Sequence, residues 1–426
     1  MLKTVLRKEH KNRWEKRTCL TPEAVAELAI KGYAIDVEES EVRIFSDDKY
    51  LQLGCKLVST PDQHQFILGI KEPPVDSIQS NQVHLAFSHT HKGQSYNMPL
   101  LQKIIDKDAT LLDYELITDE AGLRTIAFGR YAGIAGAVDT FGLAGTKLEM
   151  QGIKSSLQLV QQSWKYQQEA AVKEALEAID VSKNHPIRVV VVGSGKVGQG
   201  SIEVCQWLGL EQLSSKAFID GDLPQGSFYT VLSSRHLYQK FNSENSENSS
   251  VDDFDFADFV EHGKDLYHSV FYKFLGQFDI LLYTPYWEEK YPALLPLEIM
   301  QKHSKKLPMM IGDITCDIEG SLVCTKKNTD TDSPALTYYP ETDSYVDGVK
   351  ADGVSVMAID NLPCELSMDA SAHFSSILPQ YVAMIMEMNL SETWQQSQLP
   401  EIMKRAVIVY NGKLTPNFEY LNEFLD

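Results

Sequence analysis

The most informative segment of this chain is Val189-Val190-Val191-Val192-Gly193-Ser194-Gly195-Lys196-Val197-Gly198. Its four consecutive valines predict a strand buried on both faces, because unbroken runs of β-branched residues are typical of central parallel strands. The glycines predict a tight turn, and residues 201–209 predict a helix that ends at its final glycine. The stretch is therefore a strand, a turn and a helix around the pattern Gly-x-Gly-x-x-Gly.

A turn of this kind has the chemistry of a dinucleotide-binding loop. The first glycine permits the tight turn, the second lets a pyrophosphate approach the backbone, and the third lets helix and strand pack closely. The helix N-terminus adds unpaired N–H groups and the positive end of its dipole. We therefore predict a dinucleotide site formed by the loop residues Gly193, Ser194, Gly195, Lys196, Val197 and Gly198.

An acidic residue at the end of the second strand of such a unit accepts hydrogen bonds from the adenosine ribose. We predict that Asp220 has this role, because it closes the short apolar run at 217–219. A glycine pattern alone also occurs in loops that bind no ligand, and the added strand, helix and acid favour dinucleotide binding here.

Composition and charge exclude several classes of protein. A length of 426 residues suits two domains, and 43% hydrophobic with 23% charged residues is typical of a soluble globular protein. The net charge of -20 repels nucleic acids and anionic membranes, so we expect neither as a partner. Residues 1–17 lack a signal peptide's apolar core and no run could span a membrane, which predicts a cytoplasmic protein. The six cysteines show no metal-binding spacing, so we expect reduced core thiols and no metal.

Alternating strands and helices predict an α/β fold with mostly parallel sheets and helices on both faces. Strands are predicted at 2–6, 33–38, 66–70, 83–87, 110–114, 279–283 and 309–311. Helices are predicted at 24–31, where Thr21 is the cap and Pro22 the first residue, and at 135–148, 158–179 and 369–387. The Ser, Asn and Glu-rich segment 242–250 predicts a solvated loop.

Ligands of parallel sheets bind beyond the carboxyl ends of the strands, so residues directly after a strand are candidate catalytic groups. Lys71, His89 and Glu115 each follow a predicted strand. A buried lysine and a histidine transfer protons near neutral pH, and a carboxylate tunes them, although all three also occur as surface or loop residues. His91 is expected on the opposite side of an extended chain, as a bystander.

Arginines are the side chains best suited to bidentate binding of a substrate carboxylate. Arg17, Arg124 and Arg130 are the candidates in this chain, and their alternative role is a surface ion pair.

Several motifs occur in order along nearly the whole chain. They are Glu15-Lys16-Arg17-Thr18-Cys19-Leu20-Thr21-Pro22, Gly69-Ile70-Lys71-Glu72-Pro73-Pro74, Phe87-Ser88-His89-Thr90, Asp113-Tyr114-Glu115, Ala127-Phe128-Gly129-Arg130-Tyr131-Ala132-Gly133, Thr230-Val231-Leu232-Ser233-Ser234-Arg235-His236, Gly312-Asp313-Ile314-Thr315 and Ile359-Asp360-Asn361-Leu362-Pro363. Together they resemble lysine-forming saccharopine dehydrogenase, and most of all the lysine-ketoglutarate reductase half of the bifunctional aminoadipic semialdehyde synthase. The wider superfamily includes alanine dehydrogenase and the first subunit of nicotinamide nucleotide transhydrogenase.

The resemblance implies two Rossmann-like domains with parallel sheets and an active-site cleft between them. The catalytic domain would comprise residues 1–138 and 362–426, and the dinucleotide-binding domain residues 139–361. The implied reaction is the reversible condensation of L-lysine with 2-oxoglutarate to saccharopine, with NAD(P)H giving hydride to the imine carbon. The alternatives are an alanine-dehydrogenase-like enzyme and a nucleotide-binding regulator that lacks catalysis.

The resemblance also implies roles for single residues. Lys71 and His89 match the acid-base pair, and Glu115 matches the carboxylate that tunes it. Arg17 and Arg124 match arginines that hold the oxo-acid carboxylates, and Asp360 matches the acid of the Asp-x-Leu-Pro motif. Arg130 is a further candidate for the substrate and Asp313 for the cofactor. The fungal enzymes carry a lysine before the first arginine, and either Lys11 or Arg13 stands near that place.

The signals for the cofactor conflict. Asp220 favours NAD(H) because a carboxylate repels a 2′-phosphate, whereas Arg235 suits such a phosphate and the bifunctional enzyme's reductase half uses NADPH. A fixed strand-end carboxylate needs no loop movement to act, so we expect NAD(H) or NADP(H) with a slight preference for NAD(H). The sequence leaves the oligomeric state open.

Overall fold

The computed structural model describes residues 1–241 and 254–425, so the loop predicted at 242–250 lies outside the described residues. The strands are β1 Thr4–Leu6, β2 Ile35–Glu38, β3 Leu57–Val58, β4 Phe66–Leu68, β5 Val83–Ala86, β6 Thr110–Asp113, β7 Arg188–Val192, β8 Glu211–Leu213, β9 Phe228–Leu232, β10 Tyr238–Lys240, β11 Tyr267–Ser269, β12 Ile280–Tyr283, β13 Met310–Asp313, β14 Ala335–Tyr339, β15 Ser344–Asp347, β16 Val354–Met357, β17 Val407–Tyr410 and β18 Lys413–Leu414. The α-helices are α1 Pro22–Ile30, α2 Asp47–Gln52, α3 Met98–Asp106, α4 Gly129–Met150, α5 Glu169–Glu177, α6 Lys196–Trp207, α7 Ser215–Asp220, α8 Ser234–Leu237, α9 Phe256–His262, α10 Leu297–Lys302, α11 Ser367–Ile377, α12 Pro379–Met386 and α13 Glu401–Lys404.

The chain divides into two compact units. The first comprises Met1–Phe128 and Ser367–Asp426, and the second is Gly129–Leu366. The division falls before α4, so this helix belongs wholly to the second unit, whereas the sequence places the boundary inside it, after residue 138. Within the described ranges, no helix has the length and apolar composition of a membrane span.

The first unit is built on an eight-stranded sheet in the order β18-β17-β6-β5-β4-β1-β2-β3. The strands from β6 to β3 are parallel, and β17 joins β6 in the antiparallel direction. The C-terminal segment therefore completes the first sheet, as the resemblance implies. Parallel pairing brings the carboxyl ends of β4, β5 and β6 to one edge of this sheet.

Local sequence signals explain the helices of the first unit. The Thr21 hydroxyl caps α1 by accepting the Ala24 amide at 3.3 Å, and Pro22 occupies the first turn, as predicted. The single helix predicted at 369–387 is instead two helices, α11 and α12, which meet at Leu378 and Pro379. Proline ends α11 because it has no N–H and clashes with the preceding turn.

The second unit is built on a sheet in the order β15-β14-β16-β13-β12-β7-β9-β8, parallel from β16 to β8. The predicted valine strand is confirmed as β7, whose residues 189–192 are at most 1% exposed. An α/β fold with two mostly parallel eight-stranded sheets is thereby confirmed.

The helix predicted at 158–179 is wrong over its first half. There the Ser163 amide binds the Asp139 carboxylate at 2.6 Å, and only α5 is α-helical.

The prediction that Asp220 ends the second strand of the nucleotide unit is wrong. Residues 215–220 form helix α7, which Ser214 caps by accepting the Ala217 amide at 3.2 Å. The partly exposed Asp220 side chain pairs with Lys216 one helical turn earlier. On the side of β7 away from β12, the neighbouring strand is β9, which runs directly into Ser233. The apolar run at 217–219 is thus a helix face, because the Ser214 cap started a helix that the sequence reading missed.

A buried acidic pair lies in the second unit. Asp139 of α4 is 0% exposed and Glu365 is 4% exposed, and Ser163 donates its amide to Asp139 and its hydroxyl to Glu365. Glu365 also accepts the Thr331 hydroxyl at 2.7 Å. Burial and the neighbouring Glu365 charge raise the pKa of Asp139 well above its ordinary value, which favours the protonated carboxyl.

We predict that Asp139→Asn reduces the loss of stability at high pH. The pKa of Asp139 in the folded state is raised above its value of about 3.9 in the unfolded state, and this difference stabilises the fold. The stabilisation is complete at a pH below about 3.9 and is lost as the pH rises through the raised pKa. Asparagine stays neutral across that window and can still accept the Ser163 amide. Urea unfolding between pH 5 and pH 9 should therefore show a shallower decline in the free energy of unfolding for the variant, and equal slopes would contradict a raised pKa of Asp139.

Candidate functional site

Three neighbouring strands of the first unit lead directly to predicted catalytic residues. Lys71 lies beyond β4, His89 beyond β5 and Glu115 directly beyond β6. Since these strands are adjacent and parallel, their carboxyl ends lie at one edge of the sheet. The structure brings His89 and Glu115 into direct contact there, with the His89 Nδ1 atom 3.1 Å from the Glu115 Oε2 atom.

The buried carboxylate of Asp113 fixes the turn that carries His89. Its Oδ2 atom accepts the His89 amide at 2.9 Å and the Ser88 hydroxyl at 2.7 Å, and its Oδ1 atom accepts the Glu115 amide at 2.8 Å. His89 itself adopts the left-handed conformation with φ 55°. Sequence reasoning gave Asp113 no role, although an acid inside an apolar strand was a signal that could have found it.

The contact with Glu115 also orients the His89 ring. A carboxylate opposite Nδ1 favours the tautomer that carries its proton there, so Nε2 becomes the acceptor of the neutral ring. The His89 side chain is 21% exposed, against 6% for Glu115. His89 is thus the member of the pair that can meet a substrate.

Glu115 lies among positively charged groups. Its carboxylate is 3.0 Å from the Arg124 guanidinium and 3.3 Å from the Lys92 ammonium. Burial raises the pKa of Glu115, but the His89 hydrogen bond and the charges of Arg124 and Lys92 outweigh burial and hold it below the ordinary value. The group is therefore a carboxylate throughout the neutral range.

His91 also contacts Glu115, which sequence reasoning missed. Residues 90–92 form a 3-10 turn instead of an extended chain, and this turn brings the His91 Nε2 atom to 3.3 Å from Glu115 Oε2. The expectation that His91 faces away is therefore wrong. His91, Asp113 and Glu115 place potential metal-ligand atoms within 4.8 Å of one another, but Lys92 and Arg124 already supply positive charge beside Glu115.

The predicted arginines have different surroundings. Arg17 is 3% exposed, is paired with Glu15 through two hydrogen bonds of 2.8 and 2.5 Å, and lies 4.3 Å from the centre of the Phe128 ring. The Arg124 side chain is 47% exposed, so its guanidinium is both accessible and bound to Glu115.

Arg130, in the second unit, is held by two carboxylates. Its guanidinium donates to Glu169 at 2.8 and 2.6 Å and to Glu203 at 2.9 Å. These hydrogen bonds, that to Glu169 first, raise its pKa above the ordinary value. Both edges of the guanidinium are thus engaged by protein groups.

Two further predicted residues follow strands of the second unit. Asp313 ends β13, is 1% exposed, and accepts the hydroxyls of Thr315 and Thr325 at 2.7 and 2.6 Å. Burial raises its pKa to about 6. Asp360, beyond β16, is exposed, and its amide donates to the Thr329 carbonyl at 3.0 Å.

A cavity of about 520 Å³ lies at the carboxyl ends of β7, β9 and β12. It is lined by the loop 193–197, by Ser233, Ser234 and Arg235 beyond β9, and by aromatic residues of α9. Gly195 is the N-cap of α6, and a side chain there would meet nothing within 4 Å, which leaves the backbone open to a ligand. A Cβ atom on Gly198 would lie 2.3 Å from the Gly193 carbonyl oxygen, so the turn requires glycine. All six predicted loop residues lie together in this turn.

Comparison with known proteins agrees with this architecture. Residues 5–135 match the family model of the alanine dehydrogenase/PNT N-terminal domain. The chain is also similar to a solved L-alanine dehydrogenase, with a TM-score of 0.64, 16% identity and coverage of 99% of this chain and 100% of that one. A transhydrogenase from Sinorhizobium meliloti gives a TM-score of 0.57 with 14% identity, over 97% of this chain and 99% of that one. At such identities these two likenesses concern the fold.

Curated relatives confirm the resemblance inferred from the motifs. The chain is 34% identical to alpha-aminoadipic semialdehyde synthase of Arabidopsis thaliana, over 96% of this chain and 40% of that protein. It is 28% identical to the mitochondrial alpha-aminoadipic semialdehyde synthase of Mus musculus, over 98% and 47%. It is 25% identical to the lysine-forming, NAD(+) saccharopine dehydrogenase of Emericella nidulans, over 90% and 92%. The chain thus spans less than half the length of the two synthases.

We predict that Glu115→Gln destabilises the protein at pH 7 by about 2 kcal/mol, the value of a charge-assisted hydrogen bond. Because the folded pKa lies below the ordinary value of about 4.3, this stabilisation is present above that value and is lost as pH falls through the folded pKa. The stability difference between wild type and variant in urea should narrow between pH 7 and pH 3.5. The exposed Glu120→Gln is the control, and an equal loss there would contradict the prediction.

Proposed function

We propose that this chain is a saccharopine-forming oxidoreductase that condenses L-lysine with 2-oxoglutarate, reversibly, using NADP(H). One observation carries the proposal. Three adjacent parallel strands of one sheet lead to Lys71, His89 and Glu115. The chain that carries this sheet is similar to a saccharopine dehydrogenase over nine-tenths of its length. The bound dinucleotide would supply the hydride that reduces the imine.

In this proposal, the first unit manages protons. Amine attack on the oxo acid, loss of water from the carbinolamine and imine reduction each need a proton moved at nitrogen or oxygen. His89 accepts or donates at Nε2, while Glu115 holds Nδ1 and balances the imidazolium charge. Lys71 is the second acid-base group, at the neighbouring strand end. Arg124, with its half-exposed guanidinium, orients a substrate carboxylate.

Other predicted residues receive different assignments. Arg17 is buried and held by Glu15, so we assign it to the structure of the first unit. Arg130, bound on both edges by glutamates, and the buried Asp313 are assigned to the structure of the second unit. Asp360 is exposed and keeps its proposed substrate role.

The preference for NADP(H) follows from the residues beyond β9. The earlier expectation of NAD(H) depended on Asp220, which lies in α7 and not at the end of the strand beside β7. That position is held by Ser233 and Ser234, followed by Arg235, and all three line the cavity. Hydroxyls and a guanidinium suit a 2′-phosphate, whereas a ribose-binding acid is absent from residues 233–237.

The function is tested by following NADPH oxidation with L-lysine plus 2-oxoglutarate and, separately, with pyruvate plus ammonia. Activity with the first pair is expected, and activity with the second pair alone would indicate an alanine-dehydrogenase-like enzyme instead. Lys71→Met should lower kcat by about 100-fold, as for loss of one acid-base group, without changing the Kd of NADPH. An unchanged kcat would remove Lys71 from the mechanism.

We predict that Arg235→Ala lowers kcat/KM for NADPH by between about 10-fold and 100-fold and leaves that for NADH nearly unchanged, because only NADPH loses a charge-assisted contact. Ser233→Asp should move the preference towards NADH. Asp220→Ala is the matched control and should alter neither ratio. A wild type that prefers NADH would contradict the assignment. So would an Asp220→Ala variant whose preference between NADPH and NADH differs from that of the wild type.

A further inference from the structure

A buried ion pair lies next to the backbone of Lys71 in the first unit. Arg7 and Glu9 directly follow β1, which pairs with β4 in the sheet. Their side chains are both 4% exposed, and the Arg7 Nη1 atom is 3.3 Å from the Glu9 Oε2 atom. Buried ion pairs seldom stabilise a fold more than well-packed apolar residues would, because desolvation offsets their attraction. A pair in this place therefore calls for a different explanation.

Both members of the pair bind the chain that leads to Lys71. The Glu9 carboxylate accepts the Ile70 amide at 2.6 Å and the Lys71 amide at 3.0 Å. The Arg7 guanidinium donates to the Lys71 carbonyl, and also to the Lys8 carbonyl at 2.8 Å. Hence both backbone polar groups of Lys71 are bound by the side chains of one ion pair.

The position of Gly69 supports this close approach. A Cβ atom on Gly69 would lie 2.3 Å from the Arg7 Nε atom, so a larger residue would push the guanidinium away from Lys71. The sheet's own hydrogen bonds reach this segment at Ile70, whose carbonyl accepts the Phe87 amide at 2.8 Å. One residue later, the hydrogen bonds to the backbone of Lys71 come from the side chains of Arg7 and Glu9 instead.

We propose that Arg7 and Glu9 are positioning residues for Lys71, an inference that rests on the proposed function. Charge-assisted hydrogen bonds are short and directional, so they hold the Lys71 Cα more firmly than a solvated turn would. The lysine side chain has four rotatable bonds, and fixing its origin limits where the ammonium reaches. A displacement of about 1 Å in a reacting group can cost as much as 100-fold in rate.

The test is a double-mutant cycle between Glu9 and Lys71. Glu9→Gln removes the charge but keeps the volume and one acceptor, and Glu9→Ala removes both acceptors. We expect Glu9→Ala to lower kcat by between about 10-fold and 100-fold and Glu9→Gln to lower it less, with KM for both substrates within about 2-fold of wild type. In a Lys71→Met background the same changes should lower kcat by about 2-fold or less, because the group they position is absent. Arg7→Lys, which keeps the charge, should retain more activity than Arg7→Met.

Asp47→Asn is the matched control. Asp47 is likewise a carboxylate that accepts a backbone amide, that of Ser40 at 2.9 Å, and pairs with a buried arginine, Arg43, at 2.9 Å. This variant should lower the unfolding midpoint in urea without lowering kcat. Equal losses of kcat from Glu9→Gln in the wild-type and Lys71→Met backgrounds would show a general structural effect and overturn the inference.

The cycle is measured with whichever substrate pair the wild type turns over. Activity with pyruvate plus ammonia alone would therefore contradict saccharopine formation while still deciding the role of Glu9. A normal kcat in Glu9→Ala would overturn the inference and leave the proposed function standing. A wild type inactive with both pairs would overturn both.

Discussion

Parallel pairing of β4, β5 and β6 brings the candidate site of the first unit together. Neighbouring parallel strands have their carboxyl ends at the same edge of a sheet, so residues that are distant in sequence lie close together there. Lys71, His89 and Glu115 occupy that edge. The antiparallel β17 joins the far side of β6 and leaves this arrangement intact.

Buried carboxylates hold the turns beyond these strands. The Asp113 carboxylate accepts hydrogen bonds from the amides of His89 and Glu115. The Glu9 carboxylate accepts hydrogen bonds from the amides of Ile70 and Lys71. Such acids would be costly if left unpaired. Each therefore specifies one conformation of its loop, and the loop in turn sets the origin of a candidate catalytic side chain.

The second unit depends on close backbone approach. Gly198 lets the start of α6 meet the Gly193 carbonyl, and Gly195 leaves the helix N-terminus accessible from the cavity. The residues beyond β9, not those of α7, then line the cavity with Arg235. The strand order thus brings Ser233, Ser234 and Arg235 to the cavity, because they follow β9, a neighbour of β7.

Local patterns in the sequence were enough to predict the α/β class, the buried valine strand, the glycine loop and the strand-end positions of Lys71, His89 and Glu115. These follow from local periodicity, glycine sterics and short motifs, which need no knowledge of distant residues. Other features became visible only in the folded chain. Asp220 lies in a capped helix, and His91 turns towards Glu115. Two glutamates hold Arg130, and Arg7 and Glu9 bind the backbone of Lys71. Each of these depends on which segments become neighbours in space, and a short apolar run or a lone charge has the same local pattern in either arrangement.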